Sequence, residues 1–224
     1  MLILAFDTTV AACSVALWRD GETLASAREA MAQGQAEALM PMIVAVMAEA
    51  GMAYADLDRI AVTVGPGSFT GVRVGLAAAR GLGLAAGKPV LGVLTTEALA
   101  GAVSADERSD GTRVLAAVDT KRGDLYVQMF DSGRAEPGAV QVLPVADLAA
   151  HVADGPVRVA GDAAAIAVAA LGPRASVSAA NPLPDPAVVA AIAATRAPIA
   201  GGPLPVYVRP PDAALPQHGG RLRP

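Results

Sequence analysis

The sequence predicts an α/β protein of two lobes with one shared topology, each lobe built on a mixed sheet. Three observations carry this. The chain opens on a strand-turn-strand pattern that returns half a chain later, helical and strand patterns alternate between the two openings, and a polar run divides the halves. At 224 residues, two lobes of roughly 100 residues each can bury separate cores.

Taken in order, Leu2 to Phe6 reads as a strand that runs into the turn Asp7-Thr8-Thr9. A second strand follows from Cys13 to about Trp18, and Asp20-Gly21 turns the chain into a third, Glu22 to about Ala30. Gln35 to about Ala50 has the length of a helix and is ended by Gly51. Then come a buried strand Ile60–Val64, a helix Phe69–Ala86 stopped by Gly87, a strand Pro89–Val93 and a helix from Thr95 to about Val103. The polar run Ser104 to Gly111 reads as a linker, which puts a first lobe at 1–103 and a second at 104–209.

The second lobe repeats the opening without a gap: Asp119 falls on Asp7, Thr120 on Thr8, Val127 on Val15, Phe130 on Trp18 and Gly133 on Gly21. Beyond it, Val145 to Ala153 suggests a helix, Val157–Ala160 a strand, and Ala163–Leu171 and Pro186–Ala194 two Ala-rich helices. The Pro- and Gly-rich end, 210–224, is expected to be an unstructured tail.

Composition narrows the functional classes. Hydrophobic residues make up 54% and charged residues 17%, so the body of the chain can fold around a core. Net charge is −4 with Lys and Arg scattered, which provides no basic stripe for direct binding of nucleic acid. With only His151 and His218, a histidine-based metal site lacks ligands. Cys13 has no disulfide partner and reads as a small buried hydrophobe in a reducing compartment. No apolar run reaches the ~18 to 20 residues of a membrane span, and the first apolar stretch meets Asp7 too early for a signal peptide, so a cytoplasmic protein without membrane contact is expected.

Two segments carry the most information. Gly65-Pro66-Gly67-Ser68-Phe69-Thr70-Gly71-Val72-Arg73-Val74-Gly75 joins a buried strand to a long helix, with Ser68 placed as its N-cap. It lacks both the P-loop lysine and the dinucleotide fingerprint. Along this helix Gly67, Gly71, Gly75 and Ala79 recur every fourth residue and share one almost bare face. Glycine within a helix costs ~1 kcal/mol relative to alanine, so a close neighbour must offset it. That neighbour is either a partner helix or the protein's own sheet or preceding helix. The second segment, Ala38 to Ala48, has no polar residue at any helical position, and five of the seven methionines lie between Met31 and Met52. Another subunit covering its outer face is one explanation, and burial within the chain is the other.

With Leu4-Ala5-Phe6-Asp7-Thr8, Cys13 to Leu17, Leu39-Met40-Pro41-Met42-Ile43, the Gly65–Gly75 segment, the Val118–Tyr126 hairpin and Pro205-Val206-Tyr207-Val208-Arg209, the chain resembles the bacterial TsaB (YeaZ) family over about Met1 to Arg209. The resemblance implies the two-lobed fold of the actin, Hsp70 and sugar-kinase superfamily. It also implies a part in making N6-threonylcarbamoyladenosine at position 37 of tRNA, as a subunit that does not itself catalyse the transfer. The partners it implies are the catalytic paralogue TsaD and the ATPase TsaE, with tRNA met only through the complex and ATP used by the partner subunits. It leaves open a homodimer when the paralogue is absent.

The paralogue's metal-binding histidine pair has no counterpart in Gln35-Ala36-Glu37-Ala38-Leu39, and Gln35 stands where this family usually has a histidine. Asp7, Thr8 and Thr9 resemble a vestige of the superfamily's first phosphate loop without its glycine. The expected partner interface on the first helix is Leu39, Met42, Ile43 and Met47. On the glycine-bearing helix it is Gly71, Arg73, Val74, Gly75, Ala78, Ala79 and Leu82. Set against this scaffold are an ATP-using transferase or kinase resting on Asp7 and Asp119, and a metalloprotease, for which no ligand or nucleophile set can be assembled.

Overall fold

A computed structural model describes residues 1–131 and 138–209. The first half contributes β1 (Leu2–Asp7), β2 (Ala12–Arg19), β3 (Glu22–Ala30), α1 (Gln35–Glu49), β4 (Arg59–Thr63), α2 (Phe69–Ala86), β5 (Val90–Val93) and α3 (Thr95–Gly101). The second contributes β6 (Arg113–Asp119), β7 (Asp124–Phe130), β8 (Gln141–Pro144), α4 (Leu148–His151), β9 (Val157–Ala160), α5 (Ala164–Leu171), β10 (Ala175–Val177) and α6 (Pro186–Ala194). The sheets run β3-β2-β1-β4-β5 and β10-β9-β6-β7-β8. Each sheet is thus a hairpin extended by a third strand, with the fourth and fifth strands parallel to the first on its other side. The predicted duplication is real at the level of topology.

The gapless alignment of the two openings fails by one residue. Opposite Val15 stands Phe6, whereas opposite Val127 stands Ala117 rather than Val118. Because strand side chains alternate, that single step exchanges faces. Leu2, Leu4 and Phe6 face the core under α1 and α2, while Val114, Ala116 and Val118 face α3. Asp119 is therefore not the positional counterpart of Asp7.

Residue choice explains the main helices. Ser68 caps α2 by accepting a hydrogen bond from the Gly71 N–H at 3.2 Å, and Gly87, at φ 66°, ends it in the left-handed conformation. Leu39, Ile43, Val46 and Met47 of α1 are buried against the first sheet with Val72, Leu76 and Ala79 of α2. Cys13 lies in that core, where burial pushes its thiol up to about 11.

The last helix of each half crosses the expected division between 1–103 and 104–209 and lies on the other sheet. α3 packs on β6 and buries Leu99 and Ala100 among Val114, Ala116 and Val118. α6 lies on β1, β2, β4 and β5, where Val189, Ala190 and Ala193 cover Ile3, Ala5 and Trp18. Arg59 fixes it by donating to the Ala193 carbonyl at 3.0 Å, and further on the Val206 N–H donates to the Val64 carbonyl at 2.8 Å. Both helices sit between the sheets and touch each other, so each covers an inner face that would otherwise be wet.

Smaller departures concern weak signals. β8 and β10 are short strands that the sequence reading passed over, and the helix expected over Val145–Ala153 is a 3-10 turn, Val145–Asp147, running into α4. The expected linker holds a 3-10 turn, Asp106–Gly111, anchored by Glu107, which accepts from Ser178 Oγ at 3.0 Å and from the Ala179 N–H at 2.9 Å. Gly133 and the expected tail 210–224 lie outside the described residues. No helix of the described residues is long and apolar enough to cross a membrane.

Candidate functional site

The Asp7-Thr8-Thr9 turn is closed by α2. Thr8 Oγ1 donates to the Gly71 carbonyl at 2.7 Å, and the Ser68 N–H donates to the Thr9 carbonyl at 2.7 Å. A Cβ on Gly71 would overlap the Thr8 carbonyl oxygen, and one on Gly75 would lie 2.7 Å from Thr8 Oγ1 and 3.2 Å from Val62. The bare stripe therefore faces the protein's own turn, which corrects its placement on a partner interface. Its glycines let a helix press onto a backbone turn, and the contact leaves Asp7, Thr8 and Thr9 essentially without exposure.

Asp7 itself is held by one oxygen. Its Oδ1 accepts from Thr9 Oγ1 at 2.5 Å, Thr63 Oγ1 at 2.5 Å and the Thr9 N–H at 3.1 Å. Oδ2 has no partner among the described residues, nor has the hydroxyl of Ser14, the residue across the strand pair. Burial pushes the carboxyl above the usual carboxylate range, opposed by the bonds from Thr63 and Thr9 and by the charge of Arg28. Asp119 sits differently: it is partly exposed and pairs with Lys121 Nζ at 2.8 Å. The two aspartates on which an ATP-using reading rested do not share one environment.

The outward face of α1 and α2 is apolar. Met40 is 40% exposed, Val44 56% and Leu84 88%. Ala45 and Ala48 on α1, and Ala77, Gly81 and Ala85 on α2, are exposed beside them. Between the helices Met42, Val74, Ala78 and Leu82 are half-buried in the seam. Of the interface residues expected from sequence, Leu39, Ile43, Met47, Gly71, Gly75 and Ala79 point into the first core, because these positions are the ones that meet the sheet and the Thr8 turn. Met42, Arg73, Val74, Ala78 and Leu82 remain at or near the surface. Met40, Val44 and Leu84 were missed. Their signal was present as apolar residues one turn apart, but a helix apolar on every side gives no phase to orient it.

Arg73 leaves the seam and stacks on aromatic rings. Its guanidinium lies 3.7 Å from the Phe69 ring centre and its Nε donates to the Tyr207 hydroxyl at 3.0 Å. Gln35, standing where a histidine was expected, donates from Nε2 to the Met31 carbonyl at 3.2 Å and so ties the start of α1 to the end of β3. Among the described residues no group of three or more His, Cys, Asp or Glu is placed to hold a metal ion.

Two lobes of like topology, each a five-stranded mixed sheet with helices, have the two-lobed fold seen in actin, Hsp70 and sugar kinases. The fold comparison agrees: the ethanolamine utilization protein EutJ from Carboxydothermus hydrogenoformans, at 14% identity, superposes with a TM-score of 0.52 over 84% of this chain and 88% of that one. Residues 28–170 match the family model described as TsaD, tRNA N6-adenosine threonylcarbamoyltransferase. YeaZ from Pseudomonas aeruginosa is 31% identical and superposes with a TM-score of 0.73 over 92% of this chain and 99% of that one. The tRNA threonylcarbamoyladenosine biosynthesis protein TsaB of Escherichia coli K12 is 41% identical over 126 residues, which is 56% of this chain and 53% of that protein. The match thus spans about half the length of that relative. The chain belongs to the TsaB (YeaZ) family.

Proposed function

We propose that this chain is the non-catalytic scaffold subunit of the machinery that makes N6-threonylcarbamoyladenosine at position 37 of tRNA. In this reading it works in the cytoplasm, pairs with and activates the catalytic paralogue TsaD, and gives TsaE a place to join. ATP is used by the partner subunits, and tRNA is engaged only through the complex. The observation that carries the reading is the outward apolar face of α1 and α2, with Met40, Val44 and Leu84 exposed. The sealed Asp7-Thr8-Thr9 turn supports the non-catalytic part, since a phosphate has no approach to backbone already bonded to α2.

Reconstitution tests this. The purified TsaD paralogue of the same organism, TsaE and this chain are combined with substrate tRNA, ATP and an activated threonylcarbamoyl donor, and modified adenosine is measured with each protein left out in turn. Modification is expected to require TsaD and to fall to background without this chain. Modification by this chain alone, or by the others at full rate in its absence, would overturn the proposal.

A further inference from the structure

The two lobes meet along the helices they exchange, and relative motion is the ordinary expectation for lobes of one chain unless something holds the joint. Part of the joint is apolar: Val10, the residue after the Asp7-Thr8-Thr9 turn, is buried with Leu99, Ala100 and Val103 of α3 and with Val114 and Val118 of β6. The same turn and helix are also joined by a chain of buried hydroxyls. Thr95 Oγ1, on the first residue of α3, donates to Thr9 Oγ1 at 2.9 Å, and Thr9 Oγ1 donates in turn to Asp7 Oδ1 at 2.5 Å. Thr63 Oγ1 donates to that same oxygen at 2.5 Å, and the Thr95 N–H donates to the Gly65 carbonyl at 2.8 Å.

The next residue of α3 reaches the other way. Thr96 Oγ1 donates to Gln128 Oε1 of β7, and Gln128 Nε2 donates to the Gly138 carbonyl at 2.9 Å. Asp7, Thr9, Thr63, Thr95, Thr96 and Gln128 are all buried. Adjacent hydroxyls at the start of α3 therefore hold opposite lobes.

Apolar contact has no preferred direction and lets surfaces slide, whereas a hydrogen bond weakens steeply once its angle is lost. Each hydroxyl has one proton to donate, so the direction of the chain is fixed and its last acceptor is a carboxylate oxygen. Bonds that end on a charged group are the stronger ones, and buried bonds in series polarise one another. A swing of one lobe would have to draw Thr95 from Thr9 or Thr96 from Gln128. Either leaves polar groups buried and unpaired, which burial makes unfavourable.

We propose that the buried chain Asp7–Thr9–Thr95, continued through Thr96 and Gln128, is a lock that holds the two lobes at one fixed angle. Asp7 is the anchor of this lock, a positioning residue inside a turn that α2 has sealed. The chain thereby presents its surfaces as one rigid body.

Pulsed dipolar spectroscopy on the full chain tests the lock, with nitroxide labels on Glu22→Cys and Ala150→Cys, exposed positions in the first and second lobes. Cys13 is buried and stays out of reach of the label. The otherwise unmodified protein is expected to give a single narrow interlobe distance. Thr9→Val removes both of the Thr9 hydroxyl's bonds and should broaden the distribution at least two-fold, while Thr9→Ser, which keeps the hydroxyl, should restore the narrow one. Thr96→Val, on the second-lobe side, should broaden it independently, and Thr70→Val, an exposed threonine on α2, should leave it unchanged. Melting curves establish which variants are folded. The proposal is overturned by a broad or two-peaked distance without these substitutions, by Thr9→Ser broadening as much as Thr9→Val, or by narrow distributions in whichever of Thr9→Val and Thr96→Val is folded.

Discussion

Gly71 and Gly75 are read most directly from what they touch. A row of glycines every fourth residue was plain in the sequence, and so was the need for a close neighbour. The neighbour itself was hidden, because Thr8 lies more than sixty residues away and only the folded sheet brings it under α2. Gly75→Leu and Gly71→Ala are both expected to lower the stability of the isolated chain by ~1 to 3 kcal/mol or more through overpacking, as measured by denaturant unfolding. Wild-type stability in both would show that the stripe faces elsewhere.

Asp7 gives a residue-scale expectation with a sign. Its folded carboxyl titrates above the unfolded value of 3.8, so between the two values the native state binds more protons and stability falls as pH rises. Asp7→Asn keeps an oxygen for the Thr9 and Thr63 bonds and removes the buried charge. The variant should therefore gain on wild type as pH climbs above 3.8, because only the wild type must then bury a charged carboxylate. A stability difference independent of pH would contradict this.

At the scale of elements, most boundaries were legible because their signals are chemical and local. Ser68 starts α2, Gly87 stops it, and the predicted span Phe69–Ala86 is the observed one. α6 was likewise read correctly as Pro186–Ala194, with Pro186 at its first position and Asp185 accepting from the Ala187 N–H at 2.9 Å. The orientation of α1 was not legible, since amphipathicity is what phases a helix and α1 has little of it. Four buried residues, Leu39, Ile43, Val46 and Met47, settle its phase and leave Met40 and Val44 outside. Exposed positions tolerate change, so Met40→Glu and Val44→Glu together should shift the melting free energy by no more than ~0.5 kcal/mol each. Ile43→Glu, by contrast, should unfold the first lobe, because it places an unpaired charge in a core.

For the whole molecule, the duplicated topology was visible in two matching openings, and the exchange of helices between lobes was not. Nothing local in Thr95–Gly101 or Pro186–Ala194 says which sheet each will cover; both are short and rich in alanine, and the choice is made by long-range packing. A consequence is that 1–103 lacks the helix that covers Ile3, Ala5 and Trp18. That fragment is expected not to fold cooperatively by circular dichroism, and a stable, cooperatively melting fragment would show that α6 is dispensable. The slip of one residue between the two openings has the same origin, since sequence identity at Asp7 and Asp119 outweighed a face assignment that only pairing reveals.

The central claim is that this chain acts by presenting the outward face of α1 and α2 to its catalytic paralogue. The most direct measurement is the affinity of purified TsaD paralogue for the wild-type chain and for the Met40→Glu, Val44→Glu double variant, with both chains shown to be folded by their melting curves. Saturable binding to the wild type and a loss of at least a hundred-fold in the folded double variant are expected. A folded double variant that binds the paralogue as tightly as the wild type would contradict the claim.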